Sequence, residues 1–188
     1  MIFEKFSNLV GKHAPLSPSN HVWLRYEPDK LRSVYLNRKA AEKGTRLHAF
    51  AAEAINLGRK QINNRDTLNL YINDAIKYHM QTEVCLYYSD KCFGWADCIS
   101  FDDNSQFLRI HDLKTGESPA SMEQLQIYAA LFCLMKNKDP RSIDIELRLY
   151  QSGQVVVDRP DGQLILDIMN IIVEFSDLLY QIDNEVGA

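Results

Sequence analysis

Three consecutive segments with a side-chain period of two constrain the fold of this chain more than any other feature. They cover residues 82–88, 93–101 and 106–114, are rich in β-branched and aromatic residues, and are separated by the short polar runs 89–91 and 102–105. Short polar connections of this kind join neighbouring antiparallel strands. We therefore expect a three-stranded antiparallel meander near the middle of the chain.

Helical patterns flank the meander on both sides. A second hairpin, formed by 143–150 and 154–157 around Ser152-Gly153, is expected between the last two helices. Strands mixed with helices in this order predict an α/β fold with a mixed central β-sheet flanked by helices. The expected helical segments are 31–36, then 46–60 after a break at Gly44-Thr45, then 67–80, 118–136 opened by Ser118-Pro119, and 162–183.

Length and composition fit a single globular domain covering 1–188. Of the 188 residues, 46% are hydrophobic and 24% are charged, which is enough for a sizeable core. No run of eighteen apolar residues occurs, and the first residues lack the layout of a signal peptide, so we expect a soluble, cytoplasmic protein. The four cysteines show no C-x-x-C spacing, which favours free buried thiols over a zinc site or disulfides.

Charge is distributed unevenly along the chain. Residues 1–65 carry 12 Lys and Arg against 5 Asp and Glu, whereas residues 66–188 carry 9 against 20. This asymmetry predicts a basic, helical N-terminal part beside an acidic remainder. Solvated helix faces would explain the same division without any nucleic-acid partner.

Two aspartates lie on neighbouring strands of the expected meander. If 102–105 forms a four-residue loop, Asp97 lies opposite Ile110 and diagonally across from Asp112, roughly 7–8 Å apart at the backbone. Unpaired carboxylates beside apolar side chains are costly, and a shared divalent cation would remove that cost. A three- or five-residue turn would instead put the two acids on opposite faces. The face is expected to comprise Trp95, Asp97, Ile99, Leu108, Ile110, Asp112 and Lys114.

Lys114 follows Asp112 by two residues and therefore shares its side of the strand. Its ammonium group can neutralise a phosphate oxygen or hold an attacking water molecule, while Mg²⁺ or Mn²⁺ lowers the pKa of that water. An ion pair between Asp112 and Lys114 would explain the same spacing without catalysis.

Further candidate side chains lie upstream and downstream of the meander. His48, beside the apolar stripe of the 46–60 helix, is either an imidazole ligand or a packed core residue. Gln124 and Tyr128 are four residues apart on one helix face, so an amide and a phenol can meet one ligand, although neighbouring side chains could also satisfy them. Glu83, at the start of the first strand, is either a further acid near the metal or an ordinary edge-strand charge.

Four short motifs, in order, resemble the RecB-like branch of the PD-(D/E)XK nuclease superfamily, which includes phage recombination exonucleases. That branch combines a helix bearing a metal-binding His, a G-x-x-D segment, a strand ending in D-x-K-T-G and a helix with Q-x-x-x-Y. The resemblance covers residues 44–128 and implies a restriction-endonuclease-like core. The matching residues are Gly44-Thr45-Arg46-Leu47-His48, Gly94-Trp95-Ala96-Asp97, Asp112-Leu113-Lys114-Thr115-Gly116 and Gln124-Leu125-Gln126-Ile127-Tyr128.

The resemblance implies metal-dependent hydrolysis of phosphodiester bonds in DNA, by an exonuclease rather than a site-specific endonuclease, in recombination, repair or phage DNA processing. The implied partners are DNA and a single-strand annealing or recombinase protein, with no membrane; an oligomer is left open. The implied roles are catalysis for Asp97, Asp112 and Lys114, binding of one or two Mg²⁺ or Mn²⁺ ions for His48, Asp97, Asp112 and the Leu113 carbonyl, and substrate contact for Gln124, Tyr128, Thr115 and Arg46.

The chain also departs from parts of that branch. Some relatives hold an iron-sulfur cluster through one cysteine upstream and three downstream of the core; here only Cys133 follows the core, so no cluster is expected. No G-x-x-x-x-G-K-[ST] motif occurs, so we expect no helicase portion in these residues. The alternative function is a nuclease-fold DNA-binding or assembly protein without turnover, and a third is an RNA-directed nuclease.

Overall fold

The structure, a computed structural model, describes residues 14–116 and 118–186, and the chain divides into two units, 1–43 and 44–188. Within the first unit, a 3₁₀ segment Pro18–Arg25 precedes helix α1, Pro28–Asn56, which continues into the second unit. The Trp23 indole N–H donates to the Ser17 carbonyl at 2.9 Å. None of the side chains of residues 14–43 is buried.

Helix α1 is continuous, so the predicted break at Gly44 was wrong. A glycine inside a helix costs only about 1 kcal/mol relative to alanine, which a well-packed helix tolerates. Gly44 is buried, and a Cβ atom on it would lie 2.8 Å from Oγ1 of Thr115. The glycine therefore permits close packing of α1 against the residues that follow the third strand.

The second unit is built on a five-stranded mixed sheet with strands in chain order. The first three strands pair antiparallel, the third and fourth pair parallel, and the fourth and fifth pair antiparallel. This confirms the α/β fold class and the antiparallel meander. The strands are β1 (Gln81–Ser89), β2 (Cys92–Asp102), β3 (Phe107–Leu113), β4 (Asp144–Gln151) and β5 (Gln154–Asp158).

Three further helices complete this unit. Helix α2, Thr67–Lys77, begins after Asp66, whose carboxylate accepts hydrogen bonds from the first turn. Helix α3, Glu123–Lys136, supplies the crossover that the parallel pair β3 and β4 requires. It starts five residues later than predicted, so Ser118-Pro119 lies before the helix and does not open it. Helix α4 covers Gly162–Val186, and no helix among the described residues is long and apolar enough to cross a membrane.

The apolar side chains form two clusters. The first contains Ile110 and Leu147 of the sheet with Leu125 of α3 and Ile165 of α4. The second contains Leu113 and Tyr150 of the sheet with Ala51 of α1 and Ile72 of α2. Both helix pairs are therefore held by burial of residues from β3 and β4, the central strands that lead to the candidate site.

The turn between β2 and β3 differs from the predicted one. Asp102 pairs with Phe107, so the four turn residues are 103–106. The Asp102 carboxylate stabilises this turn by accepting from the Asn104 N–H at 2.9 Å and the Ser105 hydroxyl at 2.7 Å.

As a result, Ile110 lies opposite Ile99, and the predicted pairing of Asp97 with Ile110 was wrong by two residues. A shift of two keeps every side chain on its predicted face. Ile99, Leu108 and Ile110 accordingly share the first cluster.

Trp95 is the exception on that predicted face. Ala96 and Cys98 are two residues apart yet belong to different clusters, so the side-chain alternation of β2 is interrupted at Asp97. On the neighbouring strand Glu83 has a φ of 51°, which is unusual for a residue with a side chain. Trp95 therefore lies outside the first cluster and is 61% exposed.

Candidate active site

The candidate site lies where β2 and β3 separate. The last backbone pair between these strands is Cys98 with His111. One residue before it on β2, the Asp97 carboxylate accepts a hydrogen bond from the Leu113 N–H, with 2.9 Å between Oδ2 and N. A side-chain oxygen thus takes the place of the next inter-strand acceptor. This bond ties Asp97 to the strand that carries Asp112.

His48 reaches Asp97 from helix α1. Its Nδ1 lies 3.3 Å from the same Oδ2 that Leu113 contacts. The hydrogen bond to Asp97 raises the pKa of His48 above its ordinary value, in opposition to partial burial of the ring. Close packing of Gly44 against Thr115, one turn earlier on α1, places the helix for this contact.

Asp112 is the buried acid of the site, at 2% exposure. Burial raises the pKa of its carboxyl, and the negative charge of Asp97 raises it further. Lys114 Nζ donates to Oδ1 at 3.3 Å and lies 3.0 Å from Oδ2, but without the angle of a hydrogen bond to Oδ2. A buried carboxylate with one unsatisfied oxygen is costly, so this site favours an additional positive charge.

A chain of side-chain hydrogen bonds continues from Lys114 into α3. The ammonium donates to Gln124 Oε1 at 2.7 Å, and Gln124 Nε2 donates to the Tyr128 hydroxyl at 3.0 Å. The Tyr128 ring packs against Gly94, where a Cβ would be 2.9 Å from Cε1. Residues from three of the four motifs are therefore linked through Lys114, and His48 of the fourth reaches Asp97.

The remaining predicted site residues occupy less central positions. Thr115 is exposed and contacts the Gly44 position, while the Leu113 side chain is buried in the second cluster and only its backbone reaches the site. Arg46 is exposed on α1, two residues from His48. Glu83 is exposed on β1, between the residues that pair with Ala96 and Cys98.

Whether the site can bind a metal ion depends on the donor atoms that the side chains present. Among residues 14–116 and 118–186, no group of three His, Cys, Asp or Glu side chains is arranged so that it could hold one. Lys114 and His48 instead occupy oxygens of Asp112 and Asp97. The donor types still suit Mg²⁺ or Mn²⁺, which prefer carboxylate oxygens, and the unsatisfied oxygen of Asp112 fits a cation.

Comparison with known proteins assigns no family or function to the chain. No family model, curated protein or solved structure matches the chain. A function for the site is therefore inferred from its geometry and from the resemblance of the four motifs.

Sequence reasoning missed a buried charge cluster on β3 and β4. Glu146 accepts hydrogen bonds at 2.8 Å from Arg109, 2.9 Å from Arg148 and 2.9 Å from Arg159. Burial alone would raise the pKa of Glu146, but these three guanidinium groups hold it at about 2. The sequence signal was the presence of charged residues at alternate positions inside apolar strands.

His111 lies beside this cluster and is fully buried. Its Nδ1 is 3.3 Å from the Tyr150 hydroxyl, whereas Nε2 has no partner. Burial, followed by the positive charges of Arg148 and Arg109, lowers the pKa of His111 well below its ordinary value. A neutral imidazole is therefore part of the interior next to Asp112.

Proposed function

We propose that this protein is a DNA nuclease that depends on Mg²⁺ or Mn²⁺ and hydrolyses phosphodiester bonds. The observation that carries the proposal is the contact chain at the end of β2 and β3. There, His48 contacts Asp97, and Lys114 contacts both Asp112 and Gln124. The hydrogen bond from the Leu113 N–H to Asp97 joins these two groups, which come from all four motifs. A lysine beside paired carboxylates is suited to phosphate chemistry.

The metal-binding role belongs to His48, Asp97, Asp112 and the carbonyl of Leu113, which would hold one or two ions. A bound divalent ion lowers the pKa of a coordinated water and offsets charge on the phosphate. The hydrogen bond from the Leu113 N–H fixes the Asp97 carboxylate at β3, where its charge acts on Asp112. Burial of Asp112 strengthens its attraction for a cation, because the local dielectric is low.

Lys114 is the residue that would act directly on the reacting groups. Its ammonium group contacts both Asp112 and Gln124. It can donate a hydrogen bond either to a phosphate oxygen or to the attacking water. Gln124 holds the ammonium in place, and Tyr128 holds Gln124. Both α3 side chains are at least partly accessible and can also contact the backbone of the DNA strand.

The finer part of the proposal follows the motif resemblance. We propose exonuclease action on DNA ends in the cytoplasm, in recombination, repair or phage DNA processing. A single-strand annealing or recombinase protein is the proposed protein partner. Thr115 and Arg46, both exposed, are proposed as additional substrate contacts.

A catalytically inactive DNA-binding or assembly protein is the second candidate. The observation that favours it is the ion pair between Lys114 and Asp112, which neutralises the buried carboxylate without a metal. In such a protein the site would serve to hold β3 and α3 together, because Lys114 joins Asp112 to Gln124.

One experiment separates the two candidates. Linear and circular duplex DNA are incubated with the protein and Mn²⁺ or Mg²⁺, and cleavage and DNA binding are both measured. We expect Lys114→Ala to lower the cleavage rate by roughly 10²–10³-fold while DNA binding is retained. The matched control is Lys91→Ala, which removes an ion pair with Asp183 and a contact with the Tyr180 ring, and should cleave like the wild type.

If the folded wild type, supplied with Mn²⁺, cleaves neither DNA, the proposal that the protein is a nuclease is rejected. Equal cleavage by Lys114→Ala and wild type would reject the assigned site. Degradation of circular DNA as fast as linear DNA would reject exonuclease action and leave the nuclease standing.

A further inference from the structure

Helix α4 has a second apolar face beside the one that it buries. Its buried residues are Ile165, Ile172 and Ser176. A separate line of large apolar residues follows the helix at intervals of four, three, four, three and four residues, and five of its six members are 42–56% exposed. We call this line the apolar seam; its residues are Leu164, Ile168, Ile171, Phe175, Leu178 and Ile182.

The spacing of the apolar seam shows what kind of surface it fits. Intervals of four and three residues give an average period of 3.5, which keeps a line of side chains in contact with a second α-helix along its whole length. At 1.5 Å per residue, the seam is about 27 Å long. Single exposed apolar residues are common on protein surfaces, whereas a continuous apolar patch marks an interaction site. The seam therefore fits a helical partner.

The charge of α4 restricts this partner further. The helix carries five Asp and Glu residues and no Lys or Arg. Two of these acids, Asp167 and Glu174, each directly precede a seam residue and therefore lie along one edge of the seam. A second copy of α4 would supply no cation for these carboxylates. Their charge favours a basic helix as the partner.

The first unit of the chain contains a basic helix with an exposed apolar stripe. Its part of α1, residues 28–43, carries five Lys and Arg against two Asp and Glu. We call residues 28–43 the arm. Leu31, Val34 and Tyr35 form a stripe on the arm and are 37–42% exposed. No side chain of the arm is buried, so its apolar stripe is open to a partner.

An apolar cavity beside this stripe can receive side chains of a partner helix. Leu31 and Tyr35 line the cavity together with Leu16, and its volume is about 620 Å³. Arg32 is the charged residue among the described residues that line it. Such a cavity fits an apolar ring that lies next to a carboxylate. Glu174 and Phe175 are neighbours of this kind on α4, and Phe175 is the most exposed residue of the seam.

The charges of the arm and of the seam also match in spacing. Arg32 and Lys39 are seven residues apart along one edge of the stripe, as Asp167 and Glu174 are along one edge of the seam. Seven residues are about 10.5 Å along a helix, so two helices packed side by side can bring both pairs together. Lys39 also pairs with Glu42 on the arm, but exposed ion pairs contribute little stability. Opposite charges along the edges of a helix pair select the partner.

We propose that the apolar seam of α4 binds the arm of a second copy of the chain, so that two copies associate through two equivalent contacts. A second copy supplies both surfaces in equal number. Reciprocal contacts of this kind give the two-fold symmetry that is commonest among homo-oligomers. The association does not depend on the proposed nuclease activity, because no residue of the arm or the seam belongs to the candidate active site.

Analytical ultracentrifugation tests the association. We expect the wild type to form dimers, in a fraction that rises with protein concentration up to about 100 μM, which detects dissociation constants up to that order. Leu31→Asp should weaken dimer formation by at least roughly 30-fold, the effect of losing one strong contact residue. Leu36→Asp is the matched control and should dimerise like the wild type. Leu36 is 54% exposed on the same helix but lies about 140° around it from Leu31.

An exchange of charges then identifies the two surfaces that meet. One variant carries Arg32→Glu and Lys39→Glu, and the other carries Asp167→Lys and Glu174→Lys. Each variant alone brings like charges together at both contacts and should be monomeric. An equimolar mixture of the two variants should dimerise like the wild type, because both contacts then join opposite charges. Circular dichroism of each variant checks that its helices are intact.

A second control reverses two cations outside the arm. Arg59 and Lys60 are both exposed, and Arg59→Glu with Lys60→Glu should leave the dimer of the wild type unchanged. Loss of the dimer in this control would show that total charge, and not the edge of the arm, governs association, and would overturn the proposal.

The remaining outcomes are equally decisive. A wild type that stays monomeric at about 100 μM would overturn the proposal. Dimers of wild-type affinity in Leu31→Asp would overturn it as well, and their loss in Phe175→Asp would show that two α4 helices pair instead. Two helical charge variants that stay monomeric when mixed would reject the pairing of arm and seam. None of these measurements uses DNA, so failure of the nuclease proposal and failure of this one are separate results.

Discussion

Adding one methyl group at Gly94 tests whether packing between β2 and α3 positions the candidate site. The new Cβ would lie 2.9 Å from Tyr128 Cε1 and 3.8 Å from Cδ1 and Cζ. Carbon atoms in contact normally lie about 3.5–4.0 Å apart, so the ring and the strand have to separate by about 0.6–1.1 Å. The Tyr128 hydroxyl is hydrogen-bonded to Gln124, and Gln124 is hydrogen-bonded to Lys114. Displacement of the Tyr128 ring therefore also disturbs the position of the Lys114 ammonium group.

The expected cost has two parts. Overpacking of a well-packed contact lowers the free energy of unfolding by about 1–3 kcal/mol. A displacement of about 1 Å in groups that position a reaction can lower its rate by about 10²-fold. We therefore expect Gly94→Ala to remain folded, to lose about 1–3 kcal/mol of unfolding free energy in urea denaturation, and to cleave DNA about 10²-fold more slowly than the wild type.

Two comparisons make this prediction refutable. Gly116→Ala is the matched control: Gly116 belongs to the D-x-K-T-G motif, but a Cβ there meets nothing within 4 Å, so stability should not change. In a Tyr128→Ala background the ring is gone, and Gly94→Ala should then cost less than about 0.5 kcal/mol. An equal cost of Gly94→Ala in both backgrounds would refute the explanation through the ring.

Two further predictions concern stability and thiol reactivity. The pKa of Glu146 is held at about 2, below its ordinary 4.5, so its ionised form stabilises the folded state above about pH 4.5 and this contribution is lost as the pH falls toward 2. Glu146→Gln should therefore lower the free energy of unfolding by about 3–5 kcal/mol at pH 7, and its difference from wild type should shrink in acid, whereas the exposed Glu185→Gln should have little effect. A difference that stays constant from pH 7 to acid would contradict this account. Cys98 and Cys133 are fully buried, and burial raises the pKa of each to about 12, so a thiol reagent should modify them only after denaturation, while the partly exposed Cys85 and Cys92 react in the folded protein. Rapid modification of all four thiols in the native protein would show that the core is not packed as described.

Much of the sheet could be predicted because its signals are local. Polar residues end each period-two segment, and the β4–β5 turn has the expected Ser152-Gly153, both with positive φ, at 51° and 73°. The β2–β3 turn was misplaced because Asp102 pairs with Phe107 and also caps the turn. Both assignments give a four-residue loop, so the local pattern could not separate them.

The candidate site was predictable in its residues but not in its contacts. Asp97, Asp112 and Lys114 stand out because charged groups in apolar strands are unusual. The bond from the Leu113 N–H to Asp97 depends on the separation of β2 and β3, and the orientation of Trp95 depends on an interrupted alternation. These are tertiary effects that no short stretch of sequence contains.

Asp97 replaces a backbone acceptor at the end of β3. The loss of activity after substitution of Asp97 would therefore not by itself show that Asp97 takes part in catalysis. Alanine there would leave the Leu113 N–H without its acceptor, at a cost of about 1–3 kcal/mol, and would also release His48. Loss of activity in that variant would mix damage to the sheet with damage to the chemistry. Asparagine keeps one acceptor oxygen for the Leu113 N–H, while it removes the charge and replaces the other oxygen with an NH₂ group. Comparing Asp97→Asn with Asp97→Ala therefore separates the two contributions. In any screen of random variants, intolerance at Lys114, whose side chain supports no backbone hydrogen bond among those described, would be the cleaner indication of catalysis.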